Sequence, residues 1–121
     1  MPDKSLILII EDDAQISQFL QSSLKANGYL SISAHTLSER KQLASEHKPS
    51  LIILDLNLPD GDGRDFISYL RTHSDIPILV LSARQLEQEK VACFDLGADD
   101  YLAKPFGVNE LLARDCIWAV R

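Results

Sequence analysis

Asp55 closes a short apolar run, Leu51-Ile52-Ile53-Leu54, and a turn-rich stretch with Pro59, Gly61 and Gly63 follows at once. A carboxylate there can do chemistry, because ligands of open α/β sheets bind at the carboxyl ends of the strands. The plainer role for such an Asp is to end its strand and hydrogen-bond its own loop. Three other stretches favour chemistry. Leu6 to Ile10 runs into Glu11-Asp12-Asp13, Pro77 to Ser82 ends in Ser82-Ala83, and Tyr101-Leu102-Ala103 runs into Lys104-Pro105. One acid of the first run suffices to cap a helix. The others would crowd Asp55 if the first and third strands are neighbours. Two carboxylates about 4 Å apart repel by roughly 4 kcal/mol at an effective dielectric near 20. Such a cluster takes up protons or holds a cation, and hard oxygen donors at a hydrated mouth suit Mg²⁺. Ser82 adds a hydroxyl, Ala83 leaves room for a backbone N–H to approach an anion, and Lys104 adds a long cation. Together they suit an aspartyl phosphate: Asp55 attacks, the metal and Lys104 neutralise charge, and Ser82 holds a phosphoryl oxygen.

These residues meet only if the elements that carry them lie side by side. Leu6 to Ile10 reads as a buried strand. Ile16, Phe19, Leu20 and Leu24 form a helical stripe, with Asp12 or Asp13 as N-cap and Gly28 as its stop. Tyr29 to Ala34 alternates weakly, as an edge strand does. Thr36-Leu37-Ser38-Glu39 has the spacing of a capping box for a helix that turns Leu43 and Ala44 inward. Phe66, Ile67 and Leu70 belong to a third helix, Pro77 to Ser82 to a fourth strand, and Val91, Ala92 and Leu96 to a fourth helix, with Gly97 as its C-cap. Tyr101 to Ala103 is a short fifth strand, and a last helix starts near Val108. Five alternating units with short connections predict an α/β fold, a doubly wound (βα)5 parallel sheet with helices on both faces.

A chain of 121 residues with 45% hydrophobic content has one domain's worth of core. Its net charge of −6 argues against gripping nucleic acid or an anionic membrane through this segment. Met1 to Lys4 and the apolar run behind them are too short for a signal peptide, and no stretch approaches a membrane span, so a cytoplasmic setting is expected. Cys93 and Cys116 read as free thiols, and His35, His47 and His73 as surface residues.

Ile9-Ile10-Glu11-Asp12-Asp13, Leu54 to Gly63, Val80-Leu81-Ser82-Ala83-Arg84 and Gly97 to Phe106 resemble a response-regulator receiver domain, in order and in spacing, over essentially the whole chain. Asp100-Tyr101-x-x-Lys104-Pro105-Phe106 is similar to the OmpR/PhoB class, whose receivers precede a winged-helix DNA-binding domain. Leu51 to Gly63 with Leu81 to Arg84 looks closer still to the Kdp-type regulators of potassium transport. The resemblance implies a flavodoxin-like sheet of strand order 2-1-3-4-5 and phosphorylation of Asp55 by a sensor histidine kinase. It implies Mg²⁺ held directly by Asp12 and Asp55, by Glu11 through water, and by the main-chain carbonyl of Asn57. Ser82 becomes the switch hydroxyl, Tyr101 the aromatic that moves with it, and Lys104 the partner of the phosphate, with a cis Lys104-Pro105 peptide. Asn57 and Arg84 fall where phosphoryl lifetime is tuned. Such a chain catalyses only its own phosphorylation and dephosphorylation, and reaches DNA through an effector domain beyond residue 121.

Rival readings are a haloacid-dehalogenase-type phosphohydrolase, a flavodoxin-like electron carrier and an interaction domain that ignores phosphorylation. The first needs an acid where Asn57 stands, the second a first loop that does not repel phosphate, and the third has no use for intact acids, Ser82 and Lys104. Asp60 and Asp62 read as turn acids. Along the last helix Asp115 falls where an apolar residue is expected; a one-residue shift after Arg114 would put Cys116 and Ala119 in the core rows and leaves Trp118, Val120 and Arg121 without assigned places. Val91, Phe94 and Leu112 read as partly exposed and bordered by Lys90, Asp99, Asp100, Glu110 and Arg114. An apolar centre with a mixed-charge rim predicts a symmetric homodimer, favoured by phosphorylation, through the fourth helix, fifth strand and fifth helix, with Lys90 facing Glu110 and Asp99 or Asp100 facing Arg114.

Overall fold

The computed structural model describes residues 6–34, 39, 41, 44, 48–58, 61–83 and 87–114. Thr36, Leu37, Ser38, Leu43, Pro59, Asp60, Arg84, His35, His47 and the chain from Asp115 to Arg121, all of which carry expectations above, lie outside the described residues.

The apolar runs form the predicted strands: β1 (Leu6–Ile10), β2 (Leu30–Ala34), β3 (Leu51–Asp55), β4 (Ile78–Ser82) and β5 (Asp100–Ala103). They pair in parallel in the order β2-β1-β3-β4-β5, the doubly wound arrangement expected. The helices are α1 (Ala14–Ala26), α2 (marked by helical Glu39, Lys41 and Ala44), α3 (Gly63–Arg71), α4 (Glu87–Leu96) and α5 (Val108–Leu112). Between β3 and α3 a short antiparallel hairpin pairs Asn57 with Asp62 and Leu58 with Gly61.

Every residue of β3 and β4 is buried, as a strand covered on both faces requires. Alternate side chains enter two cores. Leu8, Ile10, Ile52, Leu54, Ile78 and Val80 meet Phe66, Ile67 and Leu70 of α3 and Cys93 of α4. Ile7, Ile9, Ile53, Leu79 and Leu81 meet Leu20 and Leu24 of α1 and Leu111 of α5. Each such Leu or Ile contributes about 1.5–3 kcal/mol by burial, which makes the sheet a rigid platform for whatever stands at its edge. The edge strand β2 is half-buried along most of its length, as its weak alternation predicts.

Asp13, not Asp12, caps α1, its Oδ1 accepting from Gln15 N at 2.8 Å and Ile16 N at 3.2 Å. The helix ends at Gly28, with Gly28 N donating to Lys25 O and Tyr29 N to Leu24 O. Phe19 departs from the expected inward stripe and is 39% exposed, because the helix turns Ser17, Leu20, Ser23 and Leu24 to the sheet. Ser17 is small enough for α1 to close on β2, where its hydroxyl meets that of Ser33 at 3.0 Å. Among the described residues no helix is long and apolar enough to cross a membrane.

Candidate functional site

Register assembles the site. Ile10 pairs with Leu54, so Glu11 and Asp55 leave adjacent strands side by side. Asp55 pairs with Leu81 and Ser82 with Ala103, and Lys104 N donates to Ser82 O at 2.8 Å, which carries Lys104 to the same edge. The Lys104-Pro105 peptide is cis, as the resemblance implied. Behind the hairpin, α3 begins directly against Asp55: a Cβ on Gly63 would lie 2.9 Å from Leu56 Cα and 3.1 Å from Asp55 O. No side chain fits there, so glycine is what lets the loop close under the carboxylate.

Asp55 and Glu11 are both almost wholly buried. Lys104 Nζ lies between them, 3.2 Å from Asp55 Oδ2 and 3.1 Å from Glu11 Oε1. The Glu11 contact is ionic, since Oε1 is buried without a hydrogen bond, while Oε2 accepts from Asp13 N at 3.1 Å. Burial and then the Asp55 carboxylate push the Glu11 carboxyl up to about 7, against the pull of Asp13 N–H and Lys104. Burial works to lower the Lys104 ammonium, but Asp55 and Glu11 outweigh it and raise it above the ordinary lysine value. The crowding of acids predicted from sequence is therefore present as a pair, Glu11 with Asp55, bridged by a cation.

Asp12 does not join them. It is exposed, and among the described residues no three His, Cys, Asp or Glu side chains gather into a ready-made metal site. Neighbours leaving a strand point to opposite sides, so Glu11 turns inward and Asp12 out. Asn57 follows two residues after Asp55 in the hairpin, with its backbone paired to Asp62.

Ser82, expected to face a phosphoryl oxygen, is fully buried and donates to Glu89 Oε1 at 2.8 Å. The Tyr101 hydroxyl reaches the same oxygen at 3.5 Å. Burial first, and the Glu89 charge with it, raise the Tyr101 phenol above its usual value, against a hydrogen bond to Ser82. Sequence reasoning missed Glu89. Its signal was two acids, Glu87 and Glu89, in the first turn of α4, which read as ordinary N-terminal charge.

Four of the expected dimer residues, Lys90, Val91, Phe94 and Arg114, line one groove. It has a volume of about 540 Å³ and is lined also by Tyr101, Ala103 and Glu87. Val91 is 50% and Phe94 39% exposed, and Leu112 is half-buried against the α1 core. Arg114 Nε is buried without a hydrogen-bond partner. Two rim residues have other work. Glu110 Oε1 accepts from Gly107 N at the start of α5. Asp99 is held inside the chain, its Oδ2 accepting from Arg71 Nη2 and from Ile78 N, both at 2.9 Å. Of the two acids expected to face Arg114 of a second copy, Asp99 is thus engaged by Arg71; Asp100, whose Oδ1 accepts from its neighbour Tyr101 N, is the one left.

The response regulator receiver domain family matches residues 7–114. The KDP operon transcriptional regulatory protein KdpE of Escherichia coli is 52% identical over 108 residues, covering 89% of this chain and 48% of that protein. The chain spans about half the length of the curated relatives it matches. A two-component response regulator from Clostridium difficile superposes with a TM-score of 0.89 at 29% identity, over 96% of this chain and 94% of that one. A response regulator from Burkholderia pseudomallei, solved with a phosphorylated aspartic acid, a calcium ion and citrate, gives a TM-score of 0.84 at 34% identity over 90% of this chain and 65% of that one. With Asp55, Ser82 and Lys104 at adjoining strand ends of a 2-1-3-4-5 sheet, this chain belongs to the response regulator receiver domain family.

Proposed function

We propose that Asp55 accepts a phosphoryl group from a sensor histidine kinase and that the change reaches DNA through an effector domain elsewhere in the protein. The observation that carries this is a buried carboxylate at a strand end with Lys104 Nζ 3.2 Å away. An Asp55 oxygen attacks phosphorus, the P–N bond of the kinase phosphohistidine breaks, and the imidazole leaves and takes a proton from water. Lys104 is placed to neutralise charge on the phosphoryl oxygens. The phosphorylated aspartic acid of the Burkholderia relative supports the same chemistry here.

The donor set fits a hard divalent cation: it is all oxygen, burial and the neighbouring Asp55 push the Glu11 carboxyl up to about 7, and Asp12 follows Glu11 in the chain with an exposed side chain. Asp12, Asp55, the Asn57 carbonyl and, through water, Glu11 would hold Mg²⁺, which supplies charge neutralisation to the transferring group. The apolar groove beside Lys104, lined by Ile16, Phe19, Pro105 and Phe106, is where the histidine-bearing segment of the kinase docks, since among the grooves described it alone is lined by Lys104, the partner of Asp55. Likeness to KdpE supports transcriptional control, with potassium-transport genes as targets. The chain turns over no separate substrate and acts on its own phosphoryl group.

Intact mass after incubation with acetyl phosphate and Mg²⁺ tests the assignment. Wild type should gain one phosphoryl group and Asp55→Ala none; equal labelling of the two overturns it.

A further inference from the structure

Glu89 has no part in the phosphoryl transfer just described, yet it touches both residues expected to respond to it. Its Oε1 accepts the Ser82 hydroxyl at 2.8 Å and lies 3.5 Å from the Tyr101 hydroxyl. The helix that carries it is lightly anchored. Cys93 is the buried residue of α4, whereas Val91, Phe94 and Leu96 are exposed. At its far end the Gly97 carbonyl accepts from Arg71 Nε at 3.0 Å. Near its start, Glu89 ties the helix to the end of β4.

A serine hydroxyl has one proton to donate. While Ser82 gives it to Glu89, the same proton is withheld from an oxygen of a phosphoryl group on Asp55. Phosphorylation also replaces the single charge of the Asp55 carboxylate by a phosphoryl group carrying about −1.5 to −2, a change that a nearby carboxylate opposes.

We propose that Glu89 is a positioning residue, whose carboxylate competes with the Asp55 phosphoryl group for the Ser82 hydroxyl and so sets how readily the phosphorylated arrangement forms. The inference rests on the phosphoacceptor reading. Losing the competition frees the Glu89 end of α4, and the groove floored by Tyr101 and walled by Val91 and Phe94 changes shape with it.

Beryllofluoride with Mg²⁺, a phosphoryl mimic, tests this on the 121-residue chain by titration calorimetry. Glu89→Ala should bind the mimic about tenfold more tightly than wild type, as loss of one charge-assisted hydrogen bond in the competing state implies. Glu89→Gln, which keeps shape and a neutral acceptor, should fall between them. In a Ser82→Ala background the Glu89→Ala gain should vanish, a coupling that a merely structural helix residue would not show. The proposal is overturned if wild type binds the mimic and Glu89→Ala binds it no more tightly, or if the gain persists without the Ser82 hydroxyl. If wild type and Asp55→Ala are equally inert to the mimic, the phosphoacceptor reading itself fails and the competition with it.

Discussion

Lys104 Nζ lies 3.2 Å from Asp55 Oδ2 and 3.1 Å from Glu11 Oε1, so one ammonium serves two buried carboxylates. Without metal, Lys104→Met leaves both acids facing each other. It should cost about 1–3 kcal/mol at pH 8, less than a fully enclosed pair because the lysine is partly solvated. Glu11 stands at about 7 in the folded chain against 4.5 ordinarily, so between those values the folded state holds a proton that the unfolded state has released. Its ionisation penalty is then complete above pH 7 and absent below 4.5, and stability from this group falls as pH rises through the window. The cost of Lys104→Met should therefore shrink by half or more at pH 5, as urea midpoints will show. An equal cost at both pH values refutes the shared-ammonium picture.

Asp12 and Asp13 adjoin in sequence but do different things. Asp13 caps α1 through two backbone N–H groups, so Asp13→Ala should lose about 1 kcal/mol of metal-free stability. Asp12 is exposed, and Asp12→Ala should change metal-free stability by no more than about 0.5 kcal/mol. The same substitution should weaken Mg²⁺ binding at least tenfold in a fluorescence or calorimetric titration. Unchanged Mg²⁺ affinity would remove Asp12 from the ligand set.

Arg71 ties three elements together. Its guanidinium donates to Ile76 O at 2.8 Å and Gly97 O at 3.0 Å and pairs with Asp99 at 2.9 Å. Gly97 has φ +115°, and a Cβ there would lie 2.9 Å from Arg71 Cγ. Gly97→Ala should thus combine backbone strain with a clash against a held side chain, about 2–3 kcal/mol in denaturant melts. With Arg71 already replaced by Ala, the strain alone should remain, about 1–2 kcal/mol. Additive costs would show that the two residues do not meet.

The dimer expected through α4, β5 and α5 rests on an apolar centre and a charged rim. Exposed ion pairs are worth about 0–1 kcal/mol each, so Phe94 and Val91 should carry the affinity and the charges the register. After phosphorylation, Phe94→Ala should sediment towards monomer. Lys90→Glu should do so too and be partly rescued by Glu110→Lys, while Asp100→Asn should weaken the pair more than Asp99→Asn, because Asp99 already serves Arg71. Two single variants at Phe94 and Lys90 that both dimerise like wild type would place the interface elsewhere.

The sequence displays what repetition or uniform burial writes into it. Leu51 to Leu54 and Ile78 to Leu81 are apolar without interruption because both faces of β3 and β4 are covered, and the carboxylate, hydroxyl and ammonium that end or follow the strands announce the site. What stayed hidden depends on rotation and reach. Phe19 keeps helical spacing with Leu20 and Leu24, yet the small side chain of Ser17 decides which side of α1 meets β2. Asp99 and Asp100 are alike in composition, and the arrival of Arg71 from a distant helix and of Ile78 N from β4 at Asp99 separates them. Glu89 is seven residues from Ser82, a distance at which no local pattern links a carboxylate to a hydroxyl.

α4 reaches its place with Cys93 as its buried side chain, and Val91, Phe94 and Leu96 contribute little to the two cores. Substitutions at exposed positions of this kind typically change stability by about 0.5 kcal/mol or less. The outward face of the helix can therefore drift in sequence from one descendant to another while the strands beneath keep theirs. If partners bind on this face, partner choice and fold are separately heritable, and a paralogue can acquire a new binding allegiance without relearning how to place Asp55 beside Lys104.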